Sequence, residues 1–146
     1  MSYKKFLLLS VLIFINTTAQ ADTLNANDVS RFDIPEVKHC QSKFSDNVTY
    51  STCLDSVLST KKRELETWQT DMETKIREVT GRRDALSLFE KSSEEFEQFK
   101  NKNCKWQYLT FLPDVESAVN MSKECQVYMT IQRINELKQL SKFDFY

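Results

Sequence analysis

The sequence predicts an all-α fold, a small disulfide-stapled bundle of one short and three longer helices. Apolar residues recur three and four positions apart over long stretches, which is the spacing of a single helix face. The chain has one glycine and two prolines, fewer than the turns of a sheet require. Its four cysteines are an even number, which is typical of a disulfide framework in an exported domain.

Residues 1–21 have the pattern of a signal peptide. Two lysines precede the apolar run 6–15, and Ala19-Gln20-Ala21 then provides a small-x-small cleavage pattern. The apolar run is too short to cross a bilayer, so we expect no permanent membrane span. Cleavage near Ala21 would leave residues 22–146, a length that suits one domain. We therefore expect a periplasmic or secreted location.

The mature chain begins with a predicted flexible segment, residues 22–34, because residues 22–31 are polar and offer few apolar anchors. The helical domain follows over residues 35–141. Pro35 is expected to start its short first helix, with Asp33 or a neighbour as the cap. The sequence Ser45-Asp46-Asn47 then predicts a turn.

The second helix is predicted from about Thr49 to Thr80, roughly 45 Å long at about 1.5 Å per residue. One apolar stripe runs along it, and we expect that stripe to face the core. Its members are Leu54, Leu58, Leu65, Trp68, Met72, Ile76 and Val79. Gly81 follows directly and is expected to end the helix and form the turn into the next one.

The third helix, Leu86–Cys104, is predicted to be the central helix of the bundle. Its dry face contains residues spaced three and four apart: Leu86, Phe89, Ser93, Phe96, Lys100 and Asn103, with Phe99 beside them. An aromatic-rich connection, residues 105–114, is expected to follow. Pro113 should stand at the first position of the last helix, which runs to about Leu140.

The last helix should face inward with a third apolar stripe, and residues 142–146 form a C-terminal tail. The inward candidates are Val115, Ala118, Met121, Cys125, Tyr128, Ile131 and Leu137, with Met129 and Ile134 beside them.

Cys40, Cys53, Cys104 and Cys125 allow three disulfide pairings. We favour Cys40–Cys53 with Cys104–Cys125, because each bond would then join consecutive elements. The main rival pairs Cys53 with Cys104, across two antiparallel helices that meet near Gly81.

No pattern of residues points to catalysis, so we expect a protein that is not an enzyme. His39 is the only histidine, and it adjoins a cysteine that export would oxidise. With no Cys-x-x-Cys pair and no second histidine, we expect no metal site, and a single glycine rules out a phosphate-binding glycine loop. We expect no cofactor. Without the two leader lysines the formal charge is −3, which gives no nucleic-acid footprint.

Trp106, Tyr108 and Phe111 allow two interpretations. The rings could cap the open end of the bundle and shield the neighbouring disulfide, which is how large rings are usually used. They could instead form an exposed surface that anchors a partner protein.

Four stretches together are similar to one known family. They are the early pair Cys40 and Cys53, the segment Lys-Arg-Glu-Leu-Glu, the segment that leads from Phe96 to Cys104, and the segment that follows Cys125. The chain thereby resembles the lysozyme-inhibitor LprI-like domain, a small exported helical domain of bacteria. Phe96 matches an aromatic position of the family, and its closing motif Thr-x-x-Arg-x-x-x-Leu matches Thr130, Arg133 and Leu137.

The resemblance implies a protein-binding module that inhibits lysozyme or a related cell-wall-degrading enzyme. Lysozymes are typically cationic, so an inhibitor benefits from an acidic surface. The connection between Cys104 and Cys125, with its aromatic residues, would be the inserted segment. Glu94, Glu95 and Glu97 would form the electrostatic face. The alternative is a non-inhibitory periplasmic accessory or scaffold protein of the cell envelope.

Overall fold

The computed structural model describes residues 32–79, 81 and 83–145, so the expected signal peptide and residues 22–31 lie outside the described part. Four helices make up the described chain: α1 (Pro35–Lys43), α2 (Asn47–Glu78), α3 (Arg83–Thr110) and α4 (Val115–Leu140). No strand occurs within those residues. The predicted bundle of one short and three longer helices is confirmed.

The three long helices run up, down and up. Near the starts of α2 and α4, Asn47 donates a hydrogen bond to Glu116, and near their ends Lys75 donates to the carbonyl of Ser141. These two helices are therefore parallel neighbours. α3 runs in the opposite direction, because its early residue Ser92 meets the late α4 residue Arg133. The short helix α1 packs against α2.

The central helix is α4, and the prediction that α3 is central was wrong. α4 packs along both α2 and α3 and buries nine side chains, whereas α3 buries only Lys100, Cys104 and Gln107. Phe89 and Phe96 on the inward side of α3 are only half-buried, and Phe99 is 57% exposed. Periodicity locates the dry face of a helix, but it does not reveal how many neighbours cover that face.

α1 begins at Pro35 as predicted, but its cap and the starts of the later helices differ from the expected ones. Ile34 is the N-cap of α1 and makes no side-chain capping bond, while Asp33 forms an ion pair with Lys38 instead of capping. α2 begins at Asn47, within the expected turn, because Asp46 caps the helix by accepting a hydrogen bond from the Thr49 amide at 2.9 Å. Such a cap satisfies one of the free amides of the first turn. Gly81 has φ +80, as a turn glycine should.

The expected aromatic-rich connection is mostly helix. α3 continues to Thr110, because residues 105–110 include no glycine or proline to stop it. Only residues 111–114 connect α3 to α4, with a cis bond between Leu112 and Pro113. Pro113 therefore precedes the cap Asp114 rather than opening the helix, and Val115, expected to face inward, is 56% exposed.

Two apolar clusters form the core. The first lies where α1, α2 and α4 meet and includes Ile34, Val37, Leu54 and Val127. The second, further along α2 and α4, includes Leu65, Met72, Ile134 and Leu137. Ile34 is 7% exposed, and the ring of Phe32 stacks on Tyr128 at 4.7 Å. Phe32 and Ile34, at the end of the segment expected to be flexible, thus pack on the core, while Asp33 between them is exposed.

Both disulfides have the favoured pairing. Cys40 bonds to Cys53 with the two Cα atoms 5.7 Å apart, which joins α1 to α2. Cys104 bonds to Cys125 with Cα atoms 5.5 Å apart, which joins α3 to α4. Cys40, Cys104 and Cys125 are at most 1% exposed. Each bond therefore links one outer helix to a helix that contributes to the apolar clusters.

Candidate partner-binding surfaces

Trp106, Tyr108 and Phe111 do not form one cluster. Successive residues of an α-helix are rotated by about 100°, so Trp106 and Tyr108 point to nearly opposite flanks of α3. Trp106 is 53% exposed, and its indole nitrogen donates to Asn103 at 3.1 Å. Tyr108 and Phe111 are half-buried. Of the two interpretations, the partly covered rings of Tyr108 and Phe111 fit the capping role, and Trp106 is left on the surface.

The three expected acidic residues also separate. Glu94 and Glu95 are exposed, and Glu95 lies 3.9 Å from Lys91 on the same face. Glu97 turns toward the bundle and accepts a hydrogen bond at 2.6 Å from Lys100, which is 1% exposed. Glu97 therefore takes part in the packing of α3, and only two of the three carboxylates belong to a free surface.

Two of the family-motif residues, Phe96 and Arg133, meet at the contact between α3 and α4. The guanidinium of Arg133 lies 5.7 Å from the ring of Phe96, and it donates hydrogen bonds to Glu136 and to Ser92. Thr130 and Leu137, on the same helix, are both fully buried. A cation over an aromatic face is attracted to it, so the contact between Phe96 and Arg133 holds the two helices together rather than presenting a binding surface.

Sequence reasoning missed a groove of about 270 Å³ between the first turns of α2 and α4, which we name the α2–α4 groove. It is lined by Asn47, Val48, Ser51, Thr52, Asp55, Val115, Glu116, Val119, Asn120 and Lys123. Val48 and Val115, one on each helix, are 71% and 56% exposed. The groove therefore offers aliphatic surface at its edge and polar groups within it.

A series of amides runs through the groove. Asn47 donates to the Glu116 carboxylate at 2.7 Å, and Asn120 donates to the Asn47 side-chain oxygen at 3.5 Å. The side-chain oxygen of Asn120 is buried and accepts no hydrogen bond from the described residues. On the other side, Lys123 donates to Asp55 at 2.6 Å. The amide series therefore includes one buried acceptor that has no donor among the described residues.

Carboxylates surround this end of the bundle. Asp46 and Asp114 cap α2 and α4. Hydrogen bonds from Thr49 hold the pKa of Asp46 below its usual value, and those from Ser117 do the same for the pKa of Asp114. Both groups are therefore charged at neutral pH. The positive ends of the two helix dipoles offset part of this charge.

A buried hydrogen bond joins α2 to α4 near the groove. Tyr50 of α2 donates to Glu124 of α4 at 2.6 Å, and both residues are at least nine-tenths buried. Burial raises the pKa of Tyr50 well above its usual value, and the neighbouring carboxylate raises it further. The phenol therefore stays protonated and fixes α2 against α4 near the groove.

The sequence contains part of the signal for this groove. An Asp stands directly before α2 and before α4, with Thr or Ser three residues later, in Asp46 to Thr49 and Asp114 to Ser117. That spacing indicates two capped helix starts. It does not indicate that the helices are parallel neighbours, which is what brings the two starts together.

No helix in the described part of the chain combines the length and apolar character that crossing a membrane requires. Across the same residues, no group of three or more His, Cys, Asp or Glu side chains could hold a metal ion.

Comparisons with known proteins identify no relative. No family model matches the chain, and neither the curated proteins nor the solved structures include a significant match. Membership of the LprI-like family therefore stays a prediction from the motif residues.

Proposed function

We propose that this chain is an exported protein-binding module, and that its target is a cationic cell-wall-degrading enzyme of the lysozyme type. The observation that carries the proposal is the α2–α4 groove, where exposed aliphatic edges occur together with the Glu116 carboxylate, next to the capping carboxylates Asp46 and Asp114 of the two helices. The resemblance of the chain to the LprI-like domain supports the choice of target. The disulfides and the signal-peptide pattern of residues 1–21 support an exported location.

The groove suits a lysine or arginine side chain of the target. The aliphatic stem of such a residue would lie against Val48 and Val115, and its charged end would donate to the exposed carboxylate of Glu116. The turn between α3 and α4, residues 111–114, would be the segment inserted into the target. Its Leu112 is 42% exposed and would supply the apolar contact. This turn differs from the insert expected between Cys104 and Cys125, because Trp106 and Tyr108 belong to α3 and point away from each other.

The test is inhibition of lysis by purified, oxidised protein against a panel of animal and bacterial lysozymes, with binding measured in parallel. We expect dose-dependent inhibition that weakens with added salt, since the contact is electrostatic. Glu116→Lys should weaken binding about tenfold, because it replaces an attraction at the groove with a repulsion. Glu66→Lys, the same charge change on the exposed side of α2, is the matched control and should change binding less than about twofold.

Absence of both binding and inhibition across the panel would refute the proposed target. An equal loss in both variants would show that net charge matters and the groove does not. Envelope proteins crosslinked to the folded chain, without any lysozyme complex, would favour the non-inhibitory accessory or scaffold role.

A further inference from the structure

α3 has an exposed apolar strip on the side that faces away from the bundle. Leu88, Phe99 and Trp106 lie within about 20° of one another around the helix axis, and Leu109 borders them. Their exposed fractions are 67%, 57%, 53% and 53%. We name these four residues the α3 strip. The strip extends over about 32 Å of the helix at about 1.5 Å per residue.

The charged residues that lie beside the strip differ between the two halves of α3. Glu95 lies on the same side in the first half of α3, and Lys102 lies there in the second half, with both side chains exposed. Lys91 accompanies Glu95 at 3.9 Å. Phe99 is near the middle of the strip. An antiparallel copy of the same helix would therefore bring unlike charges together on both sides of this ring.

We propose that two copies of this chain associate through the α3 strip, as an antiparallel pair of α3 helices about a two-fold axis. One register of the two helices gives the residues of the strip counterparts on the second copy. Leu88 then faces Leu109 of the second copy, and Glu95 faces Lys102 of the second copy. The axis passes between Gln98 and Phe99, so the two Phe99 rings lie on either side of it.

The same register places Lys91 opposite Trp106 of the second copy, where an ammonium can lie over the indole face. Each contact occurs twice because the axis relates the two halves, which is the arrangement of an isologous dimer. A partner of one charge sign would match only one half of α3, and this favours a second copy as the occupant. The α2–α4 groove is lined only by α2 and α4 and stays open, so this inference is independent of the proposed target.

The paired surface is small, since a standard interface buries about 800 Å² on each partner and a single helix face offers less. We therefore expect a reversible, concentration-dependent dimer. Sedimentation of the purified, oxidised protein over micromolar to millimolar concentrations should show a monomer–dimer equilibrium. Phe99→Glu should abolish the dimer. Phe143→Glu, which changes an equally exposed ring outside the strip, should leave it intact.

The register is tested by exchanging charges. Glu95→Lys and Lys102→Glu alone should each raise the dimer dissociation constant about tenfold, because each creates two like-charge pairs. The double variant restores both unlike pairs and should return the constant to near its original value. The pair Glu66→Lys with Lys62→Glu, on exposed positions of α2, should have no effect singly or together. Circular dichroism confirms that each variant is folded.

A monomer at every concentration would overturn the proposal, as would a dimer that Phe99→Glu leaves unchanged. Failure of the double variant to recover from the two single changes would overturn the antiparallel register.

Discussion

Lys100 shows at the level of a single residue how α3 packs. Its side chain is 1% exposed, yet it carries an ammonium group, which donates to the Glu97 carboxylate at 2.6 Å and lies 5.6 Å from the ring centre of Phe96. Lys100 was already part of the predicted dry face of α3. The aliphatic stem of a lysine can take the place of an apolar side chain there. The burial of the charged end could not be predicted, since it depends on where Glu97 points.

Removing the exposed partner of this ion pair should cost more than removing the buried one. Glu97→Ala leaves a buried ammonium without its carboxylate, so the free energy of unfolding should fall by about 2 kcal/mol. Lys100→Met keeps the volume and leaves Glu97, which is 45% exposed, to the solvent. That change should cost less than about 1 kcal/mol. Denaturant unfolding at neutral pH measures both values.

Glu94→Ala is the control for the residue-level prediction, because Glu94 is exposed on the same helix. It should change the unfolding free energy by less than about 0.5 kcal/mol. A larger loss from Lys100→Met than from Glu97→Ala would mean that the ammonium is held by contacts other than Glu97.

At the level of elements, capping decides where the helices begin. Asp46 and Asp114 supply caps that start α2 at Asn47 and α4 at Val115, although the turn pattern and Pro113 predicted other first residues. α1 lacks such a cap, and it starts at Pro35 after Ile34. The signals for a helix start were all present in the sequence. Choosing among adjacent signals requires knowing which side chain reaches the free amides.

Asp46→Ala should lower the melting temperature at neutral pH, because the Thr49 amide loses its acceptor. Asp46→Asn should lower it less, since asparagine caps nearly as well. The folded pKa of Asp46 lies below its ordinary value of 3.8. Its contribution to stability is therefore present above that pH and is lost as the pH falls through the folded pKa. The difference in melting temperature between the original chain and the Asp46→Ala variant should therefore narrow on acidification. Melting curves at several pH values would measure it.

A gap that does not change with pH would contradict a charged cap. The Asp46→Asn variant serves as the control here, because its cap cannot titrate in this range.

At the level of the whole molecule, the two disulfides tie outer helices to the core. Cys104–Cys125 spans 21 residues and holds α3, whose inward aromatic rings are only half-buried. Cys40–Cys53 spans 13 residues and holds α1, a helix of nine residues. The loop lengths are similar, so loop entropy alone stabilises both to a similar extent. Any difference in stabilisation between the two disulfides should therefore come from how well the rest of the bundle stays packed when α3 or α1 is released.

Replacing both Cys104 and Cys125 by alanine should lower the global free energy of unfolding by about 3 kcal/mol, because α3 is one of the three bundle helices. Replacing both Cys40 and Cys53 should mainly speed hydrogen exchange in α1, since α2, α3 and α4 can stay packed when α1 opens. Denaturant unfolding and amide exchange of the two double variants would show the difference. Equal global losses without selective exchange in α1 would mean that α1 is integral to the cooperative unit.

The sequence by itself determined the helical class, the four elements and the dry face of each helix. Those features follow from spacing and from the lack of helix-breaking residues, and both are local properties of the chain. It also favoured the disulfide pairing that the structure contains, because each bond joins helices that are consecutive along the chain. The expected signal peptide and target depend on motifs and stay predictions.

Only the tertiary structure decided that α4 is central, that Trp106 and Tyr108 lie apart, and that the α2–α4 groove exists. Each of these depends on which helices become neighbours and in which direction they run. Asn47 and Glu116 are distant along the chain and touch only because α2 and α4 are parallel. Periodicity describes one helix at a time, whereas a surface made by two helices depends on how the whole bundle buries its apolar faces.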